Sequence, residues 1–211
     1  ELGLKGFVQV TPLEGLDLLT SYSTRKIEGK SDYFLKPYDT YEAGIYKTTF
    51  PADGRTKYEG WSQTITNQFN LQGSYASTIN DHSFNILAGM QSEEIKSRSF
   101  SATRKGYEYE GFEDLDHGDN ATATNNGSHW DWAMLSYFGR FNYNYRERYL
   151  LELNGRYDGS SRFMKDYRWG FFPSASAGWR ISEEAFFESL KKSIDNFKLR
   201  VSYGTIGNQD I

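Results

Sequence analysis

A strict alternation of apolar and polar residues is the feature that most constrains this chain. Over residues 135–145 one face is mainly apolar, carrying Leu135, Tyr137, Gly139, Phe141, Tyr143 and Tyr145. The other face is largely polar, carrying Ser136, Phe138, Arg140, Asn142 and Asn144. After a short charged turn the alternation resumes over residues 149–158. A period of two predicts strands whose faces meet different surroundings, and the two runs predict a β-hairpin.

The same period recurs along the chain and predicts eight strands in all. The other six are expected near residues 2–11, 16–26, 64–75, 83–91, 171–180 and 197–203. Pro173 lacks the N–H of a ladder and should mark a bulge or a gap. One short helix is predicted over residues 183–194, with Ser182 as its N-cap and with one apolar stripe formed by Phe186, Leu190 and Ile194.

Composition favours a barrel in a membrane. The mean hydropathy is −0.72, although the 211 residues include 16 Tyr, 15 Phe and 5 Trp. A transmembrane antiparallel β-barrel reconciles these values, because only one face of each strand is apolar. A soluble β-sandwich also alternates and is the alternative. The absence of cysteine excludes disulfides and thiolate zinc sites, and 24 basic against 28 acidic residues argue against nucleic acid as a partner.

Turn lengths predict the orientation of such a barrel. Short turns are expected near residues 12–15, 80–82 and 145–148, whereas residues 27–60, 104–130 and 159–168 form longer connections. Outer-membrane barrels keep short turns in the periplasm and long loops outside. The long loops are therefore predicted to be extracellular, and the helix over residues 183–194 periplasmic.

The two faces predict different roles for their side chains. Aromatic residues near the strand ends suit the two membrane interfaces, with Tyr145, Tyr149 and Trp179 toward the periplasm and Tyr137, Tyr157 and Trp169 toward the exterior. Charged residues of the opposite face are expected to line the lumen and to pair there; they are Arg140, Glu152, Arg156, Asp158, Arg180 and Arg200.

Two clusters are candidate binding sites. Trp130 and Trp132 flank Asp131, and aromatic faces beside a carboxylate suit sugar binding; an interfacial aromatic belt is the alternative. Asp114, Asp116 and Asp119 could hold calcium, although a solvated acidic loop explains them as well. Catalytic motifs and phosphate-binding loops are missing from the sequence, so we expect neither an enzyme nor a cofactor.

Three stretches of the last third carry a more specific resemblance. They read NGRYDGSSRF over residues 154–163, WGFFPSASAGWRISEE over 169–184 and LRVSYGTIGNQ over 199–209. These sequences resemble the SusC/RagA family, the TonB-linked outer-membrane transporters typical of Bacteroidetes. Upstream, only the layout of hairpins is similar.

The resemblance implies more than the period shows. It implies a 22-stranded barrel with an internal plug domain, a TonB-contacting segment, a SusD-like surface lipoprotein as partner, and import of oligosaccharides or peptides. On this interpretation residues 1–211 are a wall segment of the barrel domain, and the plug, the TonB box and the final strands are absent from the chain. A self-contained eight-stranded barrel with an adhesive or structural role is the alternative.

Overall fold

The computed structural model describes residues 1–52, 54–109 and 111–208. Eight antiparallel strands form one sheet in the order β1-β2-β5-β6-β7-β8-β9-β10, and β3 and β4 form a separate two-stranded sheet. The strands are β1 (Leu2–Leu13), β2 (Leu16–Leu35), β3 (Tyr38–Glu42), β4 (Ile45–Phe50), β5 (Thr56–Ile79), β6 (His82–Lys105), β7 (Thr124–Tyr145), β8 (Tyr149–Ser160), β9 (Trp169–Arg180) and β10 (Lys198–Gly204).

The predicted eight-stranded sheet is confirmed, but several strands are longer than the period indicated. β5 and β6 each contain 24 residues, more than twice the 9–11 that a tilted strand needs to cross a bilayer. The prediction of a long loop over residues 27–60 is wrong, because β2 continues to Leu35 and the hairpin β3–β4 follows. Among the described residues, no helix is long and apolar enough to cross a membrane.

The chain divides into two compact units. The first contains Glu1–Gly3, Arg25–Thr66 and Ile95–Asp131. Within it the ring of Tyr107 is buried and meets Phe34 edge-on, with 5.1 Å between ring centroids. The ammonium group of Lys57 is also buried and donates a hydrogen bond of 2.5 Å to Asp32. This unit therefore has a small packed centre of its own.

The second unit contains Leu4–Thr24, Asn67–Glu94 and the described part of Trp132–Ile211. Its register is continuous from β7 to β9, with Phe141 opposite Leu153, and Leu151 opposite Ala177. Residues of equal parity consequently share a face across all three strands. The alternation predicted within single strands thus becomes a property of the whole surface.

Exposure in the second unit is the reverse of that in a soluble protein. Along β8 and β9 the apolar odd-numbered face is exposed, and Phe171 retains 63% of its accessible surface, whereas the polar even-numbered face is partly covered. Among the described residues, Tyr107 and Phe187 are the buried hydrophobic side chains. A β-sandwich would bury its apolar face between two sheets, so the soluble alternative does not fit this surface.

The expectation of a bulge at Pro173 is wrong, and its alternative, a gap in the ladder, applies only on the β10 side. Pro173 stands opposite Gly155 in a continuous register between β8 and β9. Its carbonyl accepts a hydrogen bond of 3.0 Å from the N–H of Thr205, just beyond the end of β10. Because the N and C=O of one strand residue point to the same neighbouring strand, the missing N–H faces the point where that ladder ends. The proline therefore interrupts no rung with β8.

The predicted helix over residues 183–194 is replaced by two 3₁₀ helices, Ile181–Glu183 and Ala185–Leu190. Ser182 lies buried inside the first of them and is not an N-cap. The expected apolar stripe does not face a core, since Phe187 is the buried residue of the second helix while Phe186, Leu190 and Ile194 are exposed. The segment does form helical turns, as the sequence indicates, but they are short 3₁₀ helices. Their buried side chain is Phe187 and not one of the predicted stripe.

A glycine in β6 makes room for an aromatic ring of β7. A Cβ built on Gly89 would lie 2.6 Å from Cζ of Phe138 and 2.7 Å from the carbonyl oxygen of Leu71. Gly89→Ala is therefore expected to lower the free energy of unfolding by about 1–3 kcal/mol through overpacking. Urea titration of the membrane-inserted protein, followed by tryptophan fluorescence, measures this change.

Gly139→Ala in β7 is the matched control. There the nearest atom to an added Cβ is the carbonyl oxygen of Leu87, at an ordinary 3.6 Å. We expect little change in stability from this substitution. An equal loss in both variants would contradict the role given to the contact with Phe138.

Candidate functional site

The apolar face carries two aromatic clusters at opposite ends of β7–β9. At one end Trp169 stacks on Tyr157 at 4.8 Å and on Tyr137 at 6.1 Å between centroids. The register explains the cluster, since Tyr137 stands opposite Tyr157, and Gly159 stands opposite Trp169. All three rings keep more than two fifths of their surface exposed.

The second cluster lies at the short-turn end. Tyr149 stacks on Tyr145 at 6.2 Å and on Trp179 at 6.5 Å. From Tyr149 to Tyr157 the strand extends about 26 Å along its own axis, which at the tilt of barrel strands corresponds to about 20 Å along the membrane normal, against a height of roughly 25 Å for the apolar band of an outer-membrane barrel. The six aromatic residues predicted for the interfaces thus form two groups of three, and their membrane role stays a prediction.

Hydrogen bonds on the polar face link the charged residues predicted to line the lumen. Arg140 donates to Asn154 at 2.8 Å, and the amide of Asn154 donates to Glu152 at 3.0 Å. Arg156 donates to Asp158 at 2.9 Å and to the fully buried Ser136 at 2.8 Å. Asp158 thus neutralises Arg156 directly, whereas the neutral amide of Asn154 links Arg140 to Glu152.

Two further arginines that were predicted to line the lumen form hydrogen bonds with residues outside the predicted set. Arg200 donates to Ser176 across the β9–β10 pair at 3.2 Å. Arg180 lies at the end of β9 and reaches Glu147 in the turn after β7 at 3.3 Å. Within the predicted set, Arg156 and Asp158 form a direct ion pair, and the lumen-facing role of the six residues stays a prediction.

Two concavities lie on the polar face of the second unit. One has a volume of about 830 Å³ and is lined by residues that include Phe138, Arg140, Arg156 and Phe172. The other, of about 900 Å³, is lined by residues that include Asn142, Glu152, Lys198 and Arg200. Concavities of this size are in the range of small-molecule sites.

Two phenylalanines of this surface were not recognised as site residues from the sequence. Phe138 and Phe172 project from the polar face, and glycines stand beside them: a Cβ on Gly89 would meet Phe138, and one on Gly170 would lie 2.7 Å from Cζ of Phe172. An aromatic residue at a polar position of the alternation, with a glycine next to it in sequence or on a neighbouring strand, is the signal that could have identified them.

The predicted cluster Trp130, Asp131 and Trp132 is separated by the strand itself. All three residues belong to β7, where alternation turns Asp131 to the face opposite both indoles. The indole N–H of Trp132 donates to Ser160 at 3.3 Å, and the guanidinium of Arg162 lies 5.8 Å from its ring. Trp132 therefore shares the polar face with Ser160, which fits an interfacial belt less well than a lumen-facing position.

The acidic connection does not assemble the three carboxylates predicted to hold calcium. Asp114 and Asp116 approach Nδ1 of His117, at 3.9 and 3.3 Å, and all three side chains are exposed. Asp119 instead caps the 3₁₀ helix Asn120–Thr122, where its Oδ1 accepts from the N–H of Ala121 at 2.9 Å. Calcium prefers six to eight oxygen ligands, and this arrangement of two aspartates and a histidine does not supply them.

Comparison with known proteins identifies the family. The family model described as "TonB dependent receptor-like, beta-barrel" matches residues 8–209, which is nearly the whole chain. The chain belongs to the TonB-dependent receptor β-barrel family. The family is one of receptors. Because its barrels are outer-membrane proteins, the predicted location in the outer membrane is confirmed for the family to which the chain belongs.

Individual relatives agree with this assignment. The chain is similar to the TonB-dependent receptor SusC of Bacteroides thetaiotaomicron, with 33% identity over 164 residues, 73% of this chain and 15% of that protein. It is 36% identical over 159 residues to the TonB-dependent receptor P26 of Formosa agariphila, covering 72% of this chain and 15% of the relative. The chain thus spans about 15% of the length of these two relatives.

Solved structures share the fold. A chain in the structure of the RagAB peptide transporter superposes with a TM-score of 0.84 at 23% identity, covering 99% of this chain and 22% of that one. The RagAB peptide importer in its "closed-closed" state gives a TM-score of 0.85 at 24% identity, covering 98% of this chain and 22% of that chain. The predicted relation to the SusC/RagA family is confirmed.

At the short-turn end of this receptor barrel, Glu184 joins the turn after β9 to the apolar face. Its carboxylate accepts hydrogen bonds from the hydroxyl of Tyr149 at 2.6 Å and from the indole N–H of Trp179 at 3.0 Å. Arg148 adds a contact of 3.4 Å. The hydrogen bonds from Tyr149 and Trp179 hold the pKa of Glu184 below its ordinary value of 4.5.

Acid should therefore weaken this contact. A lowered carboxyl pKa stabilises the folded state above pH 4.5, and that stabilisation is lost as pH falls through the folded-state pKa. We expect Glu184→Gln to reduce stability at neutral pH and to make the acid-induced loss of stability smaller. Urea unfolding of the inserted barrel at several pH values measures both effects.

Glu188→Gln is the control, since that carboxylate is 75% exposed and its contact with Lys191 is a surface ion pair. Such pairs contribute little, so its stability should follow the unmodified protein. If Glu184→Gln retained the full acid dependence, the hydrogen-bonded carboxylate would not be its source.

Proposed function

We propose that this chain is a wall segment of a TonB-dependent importer in the outer membrane. The importer takes up oligosaccharides or peptides with a SusD-like surface lipoprotein, and TonB drives it through a plug domain and a TonB box that lie outside this chain, as do the final strands of the barrel. The family match supports the barrel. The RagAB structures, which are those of a peptide transporter and a peptide importer, support the transport role.

The inverted exposure of the sheet is the observation that carries the proposal. An apolar face that is exposed along β8 and β9 needs lipid around it, because water would leave that surface unfavourably hydrated. A polar face with hydrogen-bonded charged side chains and wide concavities suits a water-filled lumen. Together the faces fit one section of a barrel wall.

In the proposed orientation the short turns face the periplasm and the longer connections face the exterior, where they meet substrate and the lipoprotein. The hairpin β3–β4 supports a contact there, because Tyr38, Tyr41, Ile45 and Tyr46 are each more than half exposed. Exposed tyrosines are enriched in protein interfaces. The acidic connection over residues 106–123 belongs to the same set of longer connections.

A self-contained eight-stranded barrel is less well supported. Closure would require β1 to pair with β10, yet the strand order begins with β1 and ends with β10, so within the described residues both are edge strands. Hydrocarbon does not tolerate an open sheet edge, since each unpaired backbone group costs several kcal/mol. Additional strands beside β1 and β10 resolve this problem.

Purification of the intact protein from outer membranes tests the proposal. The protein is extracted with detergent, and whatever co-purifies is identified by mass spectrometry. A stoichiometric surface lipoprotein would support the lidded importer. A membrane protein without such a partner would favour an unlidded receptor or an adhesive barrel, and recovery in the aqueous fraction would contradict a membrane barrel.

A charge introduced on either face separates the lipid side from the lumen side. Leu153→Arg places a cation on the exposed apolar face of β8, midway between the aromatic clusters, and should destabilise the inserted barrel by about 2–4 kcal/mol. Asn142→Arg is the control on the polar face, where Glu152 stands opposite in the register. Urea unfolding in lipid vesicles measures the difference, and equal destabilisation would contradict the assignment of faces.

Trp130 tests the proposed substrate contact. Its side chain is half exposed and lies on the same face of β7 as Trp132, two residues away. Trp130→Ala should lower affinity for the transported ligand while insertion and thermal stability stay unchanged, because stacking on a sugar or peptide is lost. Trp130→Phe, which keeps an aromatic face, should retain most of the affinity. Ligand titration by calorimetry measures this, and wild-type affinity in Trp130→Ala would reject the contact.

A further inference from the structure

The connection between β9 and β10 leaves large apolar side chains uncovered. Phe186 is 66% exposed, and Leu190 and Ile194 are also exposed. The neighbouring Phe187 is used differently, because it is buried and stacks on Phe197 at 6.0 Å. The connection therefore has its own small packed centre, and Phe186 is not part of it.

The connection is fixed to the apolar face of the sheet and not to the polar one. Glu184 accepts from Tyr149 and Trp179, both of which belong to the odd-numbered apolar row. The ring of Phe186 then meets the indole of Trp179 edge-on, at 6.4 Å between centroids. The exposed surface of Phe186 is thus continuous with the aromatic cluster of Tyr145, Tyr149 and Trp179.

We propose that residues 181–194 form a lipid-contacting element in the interfacial layer of the membrane, with Phe186 among the lipids beside Trp179. The inference rests on the proposed barrel, in which the apolar face meets lipid. The sequence predicts a periplasmic helix over residues 183–194; the contacts of Glu184 and Phe186 with the aromatic cluster instead extend the apolar surface of the sheet past the end of β9.

The chemistry of the segment fits an interface better than the hydrocarbon interior. Lys191 contacts Glu188 at 3.4 Å and Glu183 at 4.0 Å, so charged groups accompany the apolar ones. Amphipathic helices that lie in the interface, with Phe or Leu on one side and charged residues on the other, bury their apolar side about 5–10 Å into the headgroup and acyl boundary. Trp179 and Tyr149 are the residue types that outer-membrane barrels concentrate at that depth.

Fluorescent labelling in the intact, membrane-inserted protein tests the inference. The 211 residues contain no cysteine, so single substitutions direct a polarity-sensitive probe to one position of this segment. Phe186→Cys and Leu190→Cys are the test sites, and Glu188→Cys, at a largely exposed carboxylate, is the matched control. Phospholipids carrying a nitroxide near the headgroup or deep in the acyl chain are the quenchers, and iodide reports contact with water.

At residues 186 and 190 we expect blue-shifted emission, stronger quenching by the shallow than by the deep nitroxide, and weak quenching by iodide. At residue 188 we expect red-shifted emission and strong quenching by iodide. Probes at residues 186 and 190 that respond to iodide as the control does would overturn the inference, as would blue-shifted probes that no lipid nitroxide quenches, because protein would then cover them.

Leu153→Cys separates failure of this inference from failure of the proposed barrel. Leu153 lies on the apolar face between the two aromatic clusters, where the deep nitroxide should quench most strongly. If residue 153 responds in this way and residue 186 does not respond to lipid, the barrel stands and the interfacial element is rejected. If residue 153 itself shows no contact with lipid, the proposed barrel fails with it.

Discussion

The hydrogen-bonded ladder between neighbouring strands is the constraint on which the rest of this structure depends. In hydrocarbon a backbone N–H or C=O has no water to bind, so each strand must pair on both sides. Continuous registers from β7 to β10 meet this demand, even at Pro173, whose missing N–H faces the end of a ladder. Because the backbone N–H and C=O groups are paired within the sheet, the side chains alone determine which surroundings each face can meet. The exposed face can therefore be the apolar one.

At the ends of the strands, side-chain contacts add to the backbone hydrogen bonds of the ladder. Cross-strand register brings aromatic rings into two stacked groups, and at the short-turn end the hydroxyl and indole N–H of that group bind one carboxylate, Glu184. Tyrosine and tryptophan can do this because each has an apolar body and a polar tip. The same contact fixes the following connection against the apolar face, so the aromatic cluster organises the turn as well as the strand ends.

Periodicity predicted the features that depend on local alternation, and it failed where distant partners decide. The faces of β7, β8 and β9 follow from parity alone, and so does the pairing of Arg156 with Asp158 on one face. The extension of β2 to Leu35 was not predictable, because residues 28–32 carry no apolar side chain on either face and so break the alternation before the strand ends. The spacing of the carboxylates likewise assigned Asp119 to a calcium site. In the structure its carboxylate instead accepts a hydrogen bond from the N–H of Ala121 and caps a 3₁₀ helix.

Two consecutive phenylalanines in β9 show that position, and not residue type, assigns a role in such a wall. Phe171 projects from the apolar face and remains exposed, as a residue in contact with lipid would be. Phe172 projects from the polar face into a concavity, beside a glycine whose missing Cβ leaves room for the ring. A register shift of β9 by one residue would exchange them and would turn Ser174, Ser176 and Arg180 to the apolar side. The continuous ladder therefore keeps each side chain of β9 on its own face and also stabilises the strands.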